Sequence, residues 1–164
     1  MSSHASVVIR DQHREVWLYR HYDGYPAACG ADVVEITARA TQAVGQPMSA
    51  DDVAAEFLRI LYAAEATCPA RPVYELTDER DFVEDFYVID LSQRTIAYAA
   101  RPSWDSDKRN EDWTADPSRY TVAEFARFVN AERAVANERI AYLKRTQPSN
   151  ARIQAMQTLA MVSV

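Results

Sequence analysis

The stretch Glu15-Val16-Trp17-Leu18-Tyr19-Arg20-His21-Tyr22-Asp23-Gly24-Tyr25-Pro26 runs a β pattern into an abrupt turn. Alternation with period two puts Val16, Leu18 and Arg20 on one face and Trp17, Tyr19 and His21 on the other. Both faces carry large apolar groups, so the strand is expected inside a sheet or covered on both sides. Asp23-Gly24 reads as a turn, because glycine accepts positive φ and aspartate can bond the backbone that follows it. Pro26 lacks an N–H and ends the ladder.

Working outward, residues 6–10 (Ser-Val-Val-Ile-Arg) form a second β run. The polar break around Gln12-His13 joins the two runs as a hairpin. Downstream, Gly30 precedes a helical pattern with Asp32 and Glu35 in its first turn, as the positive helix end prefers. Val33, Ile36, Ala40 and Val44 share a face, and Gly45 and Pro47 stop the helix. Ser49 with Asp52 opens a second helix in capping-box spacing. Its apolar stripe is Val53, Phe57, Ile60, Leu61 and Ala64. Three strands are expected at residues 73–77, from 82 or 85 to 91, and at 95–101. The last two are linked as a hairpin by Ser92-Gln93-Arg94.

Residues 102–119 are rich in Pro, Ser, Asp and Asn and hold Trp104 and Trp113, which predicts a long loop that packs down at points. Thr121 with Glu124 is a capping box, with Tyr120 placed to staple onto Phe125. Phe125, Val129, Ala136, Ile140 and Leu143 then mark a long helix to about residue 145, with Lys144 and Arg145 at its negative end. Pro148-Ser149-Asn150 breaks it, and residues 146–164 are a C-terminal helix or a frayed tail. The expected fold is a single α+β domain over residues 1–164. An about five-stranded, mostly antiparallel sheet in ββαα-βββ-α order carries three to four helices.

At 164 residues the chain is long enough for one continuous core. No apolar run approaches a membrane span, and the N-terminal residues lack the basic and apolar regions of a secretory signal, so a cytoplasmic location is expected. The net charge of −6 is uneven. From Tyr120 onward six basic residues face three acidic ones, leaving twelve basic against twenty-one acidic before it. An acidic body argues against nucleic-acid binding, which needs clustered positive charge. It suits solubility, or competition with DNA for a basic protein groove.

His21 and Asp23 are the one histidine–carboxylate pair close in sequence within a structured element, and are the candidate catalytic residues, a general acid or base with its orienter. Tyr19, Arg20, Tyr22 and Tyr25 are candidate binding residues for a phosphate or developing negative charge, with Trp104 and Trp113 as further binding candidates. The competing structural reading, favoured here, is a strand end locked by turn chemistry. Cys29, just before the first helix, would gain a lowered thiol pKa from the positive helix end. If His21 folded back on it, a thiolate–imidazolium pair would result. Cys29 and Cys68 lack metal-ligand spacing, so no metal and no cofactor is expected. Asp78, Glu79, Asp81, Glu84 and Asp85 form an acidic group without the spacing of a calcium loop, and read as a solvated rim. Phosphate-cradling glycine loops and dinucleotide fingerprints are absent.

The signature Tyr-Arg-His-Tyr-Asp-Gly-Tyr-Pro, with Val16-Trp17-Leu18 before it and Ala27-Ala28-Cys29-Gly30 after it, resembles small uncharacterised phage- and prophage-associated proteins. These share a strand ending in Tyr-Arg-His-x-Asp-Gly-Tyr-Pro. A later strand pair, Phe86-Tyr87-Val88-Ile89-Asp90 with Thr95-Ile96-Ala97-Tyr98, is similar too. The resemblance spans about the first hundred residues. It implies a mobile-element origin, and host cytoplasm for a phage-encoded chain, but brings no activity with it. The function expected is a non-enzymatic protein-binding module, with interference in a host defence or regulatory complex as one version. The alternative is a small enzyme acting on a phosphorylated or nucleotide substrate with His21 as acid/base. The partner expected is an unidentified protein, with no membrane or nucleic acid, and the charge-laced helix at 122–145 is a candidate homodimer surface.

Overall fold

The computed structural model describes residues 3–42, 48–60, 72–77, 83–101, 114 and 116–146. Its first hairpin joins β1 (Ala5–Arg10) to β2 (Glu15–Arg20), with Val7 opposite Leu18 and Ile9 opposite Val16. Asp11 closes the turn. Its Oδ1 accepts the N–H groups of His13 at 2.7 Å and Arg14 at 3.1 Å. Its Oδ2 accepts the Ala50 N–H at 2.8 Å, which ties the hairpin to a helix start. These amides, Ala50's first, hold the Asp11 carboxyl below its usual range.

After β2 comes a single π-helical turn, Pro26–Gly30, and then α1 (Ala31–Gln42). Next is α2 (Ala50–Leu58), whose Ser49–Asp52 capping box is formed in both directions. The stripe expected to run on through Ile60 is cut short. Arg59 caps α2, and the Ile60 carbonyl instead accepts the Val73 N–H at 3.1 Å, drawing the next strand in. Leu61 and Ala64 lie outside the described residues. β3 (Tyr74–Leu76), β4 (Asp85–Asp90) and β5 (Thr95–Ala100) follow. β4 and β5 form the expected hairpin. Arg94, at φ 54, and Asp90, whose Oδ1 accepts from Ser92 Oγ and the Gln93 N–H, close its turn.

β6 (Ser118–Thr121) is a strand where a loop was expected, pairing antiparallel with β5. Thr121 ends it and starts α3 (Val122–Thr146) in the same residue, with its Oγ1 and the Glu124 carboxylate capping reciprocally. Tyr120 packs on Phe125, ring centroids 5.5 Å apart, as the staple predicted.

The sheet order is β3-β2-β1-β4-β5-β6. Among the described residues the fold is therefore α+β on one open mixed sheet of six strands, in rough agreement with the about five-stranded, mostly antiparallel sheet expected. β1 and β4 run parallel in adjacent positions. β2 reverses the direction of β1 and β3 reverses it again, so β3 and β4 both run in the direction of β1. β2 is interior, as its two apolar faces required.

Val7, Leu18, Tyr87, Ile89 and Ile96 face the helices and meet Val33, Ile36, Val53, Phe57, Phe125 and Val129 in one core. Phe57 and Phe125 are wholly buried, each contributing roughly 2–3 kcal/mol from apolar area alone. On the opposite face Val8, Phe86, Val88 and Ala97 form a second buried cluster with Trp17 packed against it. Gly30 lets α3 approach, since a Cβ there would sit 2.9 Å from Val129 Cγ2. None of the described helices is long and apolar enough to cross a membrane.

Candidate functional site

The signature lies at the end of β2, where alternation sends Arg20 inward with Val16 and Leu18. Arg20 is 7% exposed. One terminal nitrogen, Nη1, pairs with the Asp32 carboxylate in the first turn of α1 and donates to the Tyr74 hydroxyl at 2.5 Å. Its Nε donates to the Tyr22 carbonyl at 2.7 Å, and its guanidinium lies 5.0 Å from the Tyr74 ring centroid. Burial works against the charge, but Tyr74, Cys29 and Asp32 outweigh it and raise the pKa further. Tyr74 in turn donates to Asp32 at 2.8 Å and lies 3.5 Å from Cys29 Sγ. The guanidinium that sequence offered as an anion anchor is thus committed to the core.

The turn departs from expectation in which residue does what. Asp23, not Gly24, takes the left-handed conformation, at φ 56. Gly24 is required by proximity instead. A Cβ there would lie 2.6 Å from the His4 carbonyl carbon, and the Gly24 N–H donates to the Ser3 carbonyl at 3.0 Å. From below, the buried Tyr87 hydroxyl donates to the Gly24 carbonyl at 2.7 Å. Half-burial raises the Asp23 carboxyl pKa despite Arg20 nearby, and burial first, then Asp23, raises Tyr25.

His21 turns to the other side of the strand. Its Nε2 lies 3.0 Å from Glu75 Oε1 on β3, and its ring meets Tyr19 edge-on at 4.8 Å. Tyr19 Oη is 2.6 Å from His4 Nδ1, and His4 lies 6.3 Å from the ring of Tyr22, which is 53% exposed. The His4 N–H donates to Glu84 Oε2 at 2.7 Å. His21 is therefore partnered by Glu75, whereas Asp23 sits in the turn within the field of Arg20. The turn of the backbone at Asp23 separates two residues that sequence proximity had coupled.

Cys29 is fully buried, and desolvation pushes its thiol up to about 12 against the lowering pull of Arg20 and the Tyr74 hydroxyl, so the lowered thiol pKa expected beside a helix start is not found. Among the described residues no group of three or more His, Cys, Asp or Glu is arranged to hold a metal ion. Trp104, Trp113 and the acidic residues Asp78, Glu79 and Asp81 lie outside the described residues.

The sequence reading missed His4, Glu75 and Tyr74, all brought to the signature by sheet pairing over long separations. It also missed Asp85. Read as part of a solvated rim, Asp85 is 6% exposed and faces the helices, accepting from the Tyr98 hydroxyl at 2.8 Å. Burial raises its pKa to about 6, with Tyr98 opposing and Glu84 adding to the rise. The signal was present in the pattern Asp85-x-Tyr87-x-Ile89, which places the aspartate on the inward side of its strand.

No family model, curated protein or solved structure matches the chain.

Proposed function

We propose that the protein is a non-enzymatic binding module whose signature surface engages a basic segment of a protein partner. The observation that carries this reading is a division of labour at the signature. Arg20 and Cys29, two groups that chemistry would use, face the core, while Tyr22, His21 and Tyr19 with Glu75 face outward. Exposed aromatic groups are favoured anchors at interfaces, and aromatic faces beside carboxylates suit arginine and lysine side chains. The excess of acidic residues before Tyr120 supports a basic partner by long-range attraction. A mobile-element origin, implied by the resemblance of the signature, fits such a role.

The test is affinity capture from a lysate of the source organism with wild type, Tyr22→Ala and Glu75→Lys. A stoichiometric partner held by wild type and lost by both variants is expected. Capture that ignores both substitutions, or no stoichiometric partner at all, would overturn the reading.

A second reading, a small enzyme acting on a phosphorylated substrate with His21 as acid/base, is favoured by one feature. His21 stands 3.0 Å from Glu75, an imidazole–carboxylate geometry that general catalysis uses. Phosphomonoester and nucleotide turnover abolished by His21→Ala would support it. Absence of turnover in wild type would dismiss it.

A further inference from the structure

α3 runs for 25 residues, yet among its side chains only Phe125 and Val129, in its first turns, are buried. Farther along, Val135 is 62% exposed and Tyr142 is 59% exposed. They are seven residues apart, two helical turns, and so lie on one side. That side differs from the one that Phe125 and Val129 turn to the core.

The chemistry of this side is nearly symmetric about Val135. Seven residues before it is Phe128, half-buried with its ring packed on Tyr98, Tyr120 and Phe125, which leaves only its outer edge to this side, and seven after it is Tyr142. Three before it is Glu132 and four after it is Arg139, both exposed. At 100° per residue, Glu132 and Arg139 project from the same flank of Val135. A two-fold axis between Val135 and Ala136 that reverses the helix keeps each flank on its own side. It therefore sets Glu132 of one copy level with Arg139 of the other, twice. The same operation lays Val135 against the region of its own symmetry mate and brings each Tyr142 near the other copy's Phe128.

We propose that α3 is a self-association surface, on which a second copy of the chain docks antiparallel with its centre at Val135. The occupant is a second copy because the charge pattern is complementary to itself under this operation. Such a closed, self-complementary contact is what a two-fold dimer requires. A helix pair of this length is small against the roughly 1,600 Å² of a standard interface, so the dimer forms at micromolar rather than nanomolar concentration. This surface is separate from the signature, and the proposal does not depend on the binding role given to Tyr22 and Glu75.

Sedimentation equilibrium of the full chain, up to hundreds of micromolar, tests it. Wild type should show a monomer–dimer equilibrium. Val135→Glu should be monomeric with an unchanged circular dichroism spectrum, since the position is exposed. Glu132→Arg and Arg139→Glu should each weaken self-association by about tenfold or more. Mixed in equal amounts, they should form a heterodimer, because one copy then presents two basic groups where the other presents two acidic ones. A monomeric wild type, a dimer indifferent to these substitutions, or charge-reversed variants that fail to associate when mixed would each overturn the proposal. Partner capture through the signature should survive Val135→Glu, so failure of one reading is read separately from failure of the other.

Discussion

Asp85 makes the stability of this fold fall as pH rises through the mildly acidic range, the reverse of the usual carboxylate effect. In the unfolded chain it gives up its proton near 3.8, and in the fold it holds it to about 6. Between those values the folded state binds more protons than the unfolded one, so each step up in pH favours unfolding. Above about pH 6 the whole cost of a buried carboxylate is present, and below 3.8 none of it is. A displacement of about two pH units corresponds to about 3 kcal/mol. Asp85→Asn keeps the acceptor for the Tyr98 hydroxyl and removes the titration. Urea denaturation of both proteins, followed by tryptophan fluorescence from about pH 4 to 8, isolates the effect in their difference. Wild type should lose about 2.4 kcal/mol relative to Asp85→Asn across that range, more than half of it above pH 5. Other carboxyls held below their usual range, Asp11, Asp52, Asp90 and Glu124, act with opposite sign at lower pH and cancel in the difference. Any constant offset from the new amide also drops out, because the slope is the datum. A difference that stays flat from about pH 4 to 8, or that shrinks as pH rises, would refute the assignment of a buried, proton-holding Asp85.

Thr37→Val should stabilise the protein by about 1 kcal/mol, because the Thr37 hydroxyl is wholly buried without a hydrogen-bond partner among the described residues; chemical denaturation reads the gain. Gly24→Ala should cost about 1–3 kcal/mol in the same assay, since its Cβ would press on the His4 backbone and that backbone has little room to move. Arg20→Ala should cost about 3–5 kcal/mol by leaving Asp32 and Tyr74 without their cation, whereas the double variant Arg20→Met/Asp32→Leu should recover most of it. In a Cys68→Ser background, Cys29 should resist a thiol reagent at pH 8 until denaturant is added; rapid native labelling would contradict a buried thiol pushed up to about 12.

Local pattern made much of this fold legible. Period-two alternation in residues 15–20 put Arg20 on the same side as Val16 and Leu18, and that side is the core. The capping boxes at Ser49 and Thr121 marked two helix starts because their chemistry is complete within four residues. β6 escaped because Ser118-Arg119-Tyr120-Thr121 is short and polar, and because Thr121 serves the strand and the cap together. The parallel pairing of β1 with β4 escaped for a different reason. It depends on β4, which follows β3 in the chain, pairing with β1 rather than beside β3, and no residue in either strand records that.

The signature shows the same boundary at the scale of single side chains. Its motif is dense in groups that catalysis employs, and proximity in sequence suggested that His21 and Asp23 act together. The turn opposes that pairing: Asp23 takes φ 56, and strand alternation sends His21 and Arg20 to opposite sides. What each residue meets was then decided by segments far away, Glu75 for His21 and Asp32 and Tyr74 for Arg20. Gly24 gives the reason for so tight a motif. With His4 and Ser3 against its backbone and Tyr87 bonded to its carbonyl, the turn binds the start of β1 to the end of β2 and the middle of β4. A turn held on three sides presents Tyr22 on a rigid base, and a rigid aromatic group binds with less loss of conformational freedom than a mobile one. The residues that look catalytic thus fix the position of the tyrosine they surround, which is what the proposed binding role requires of them.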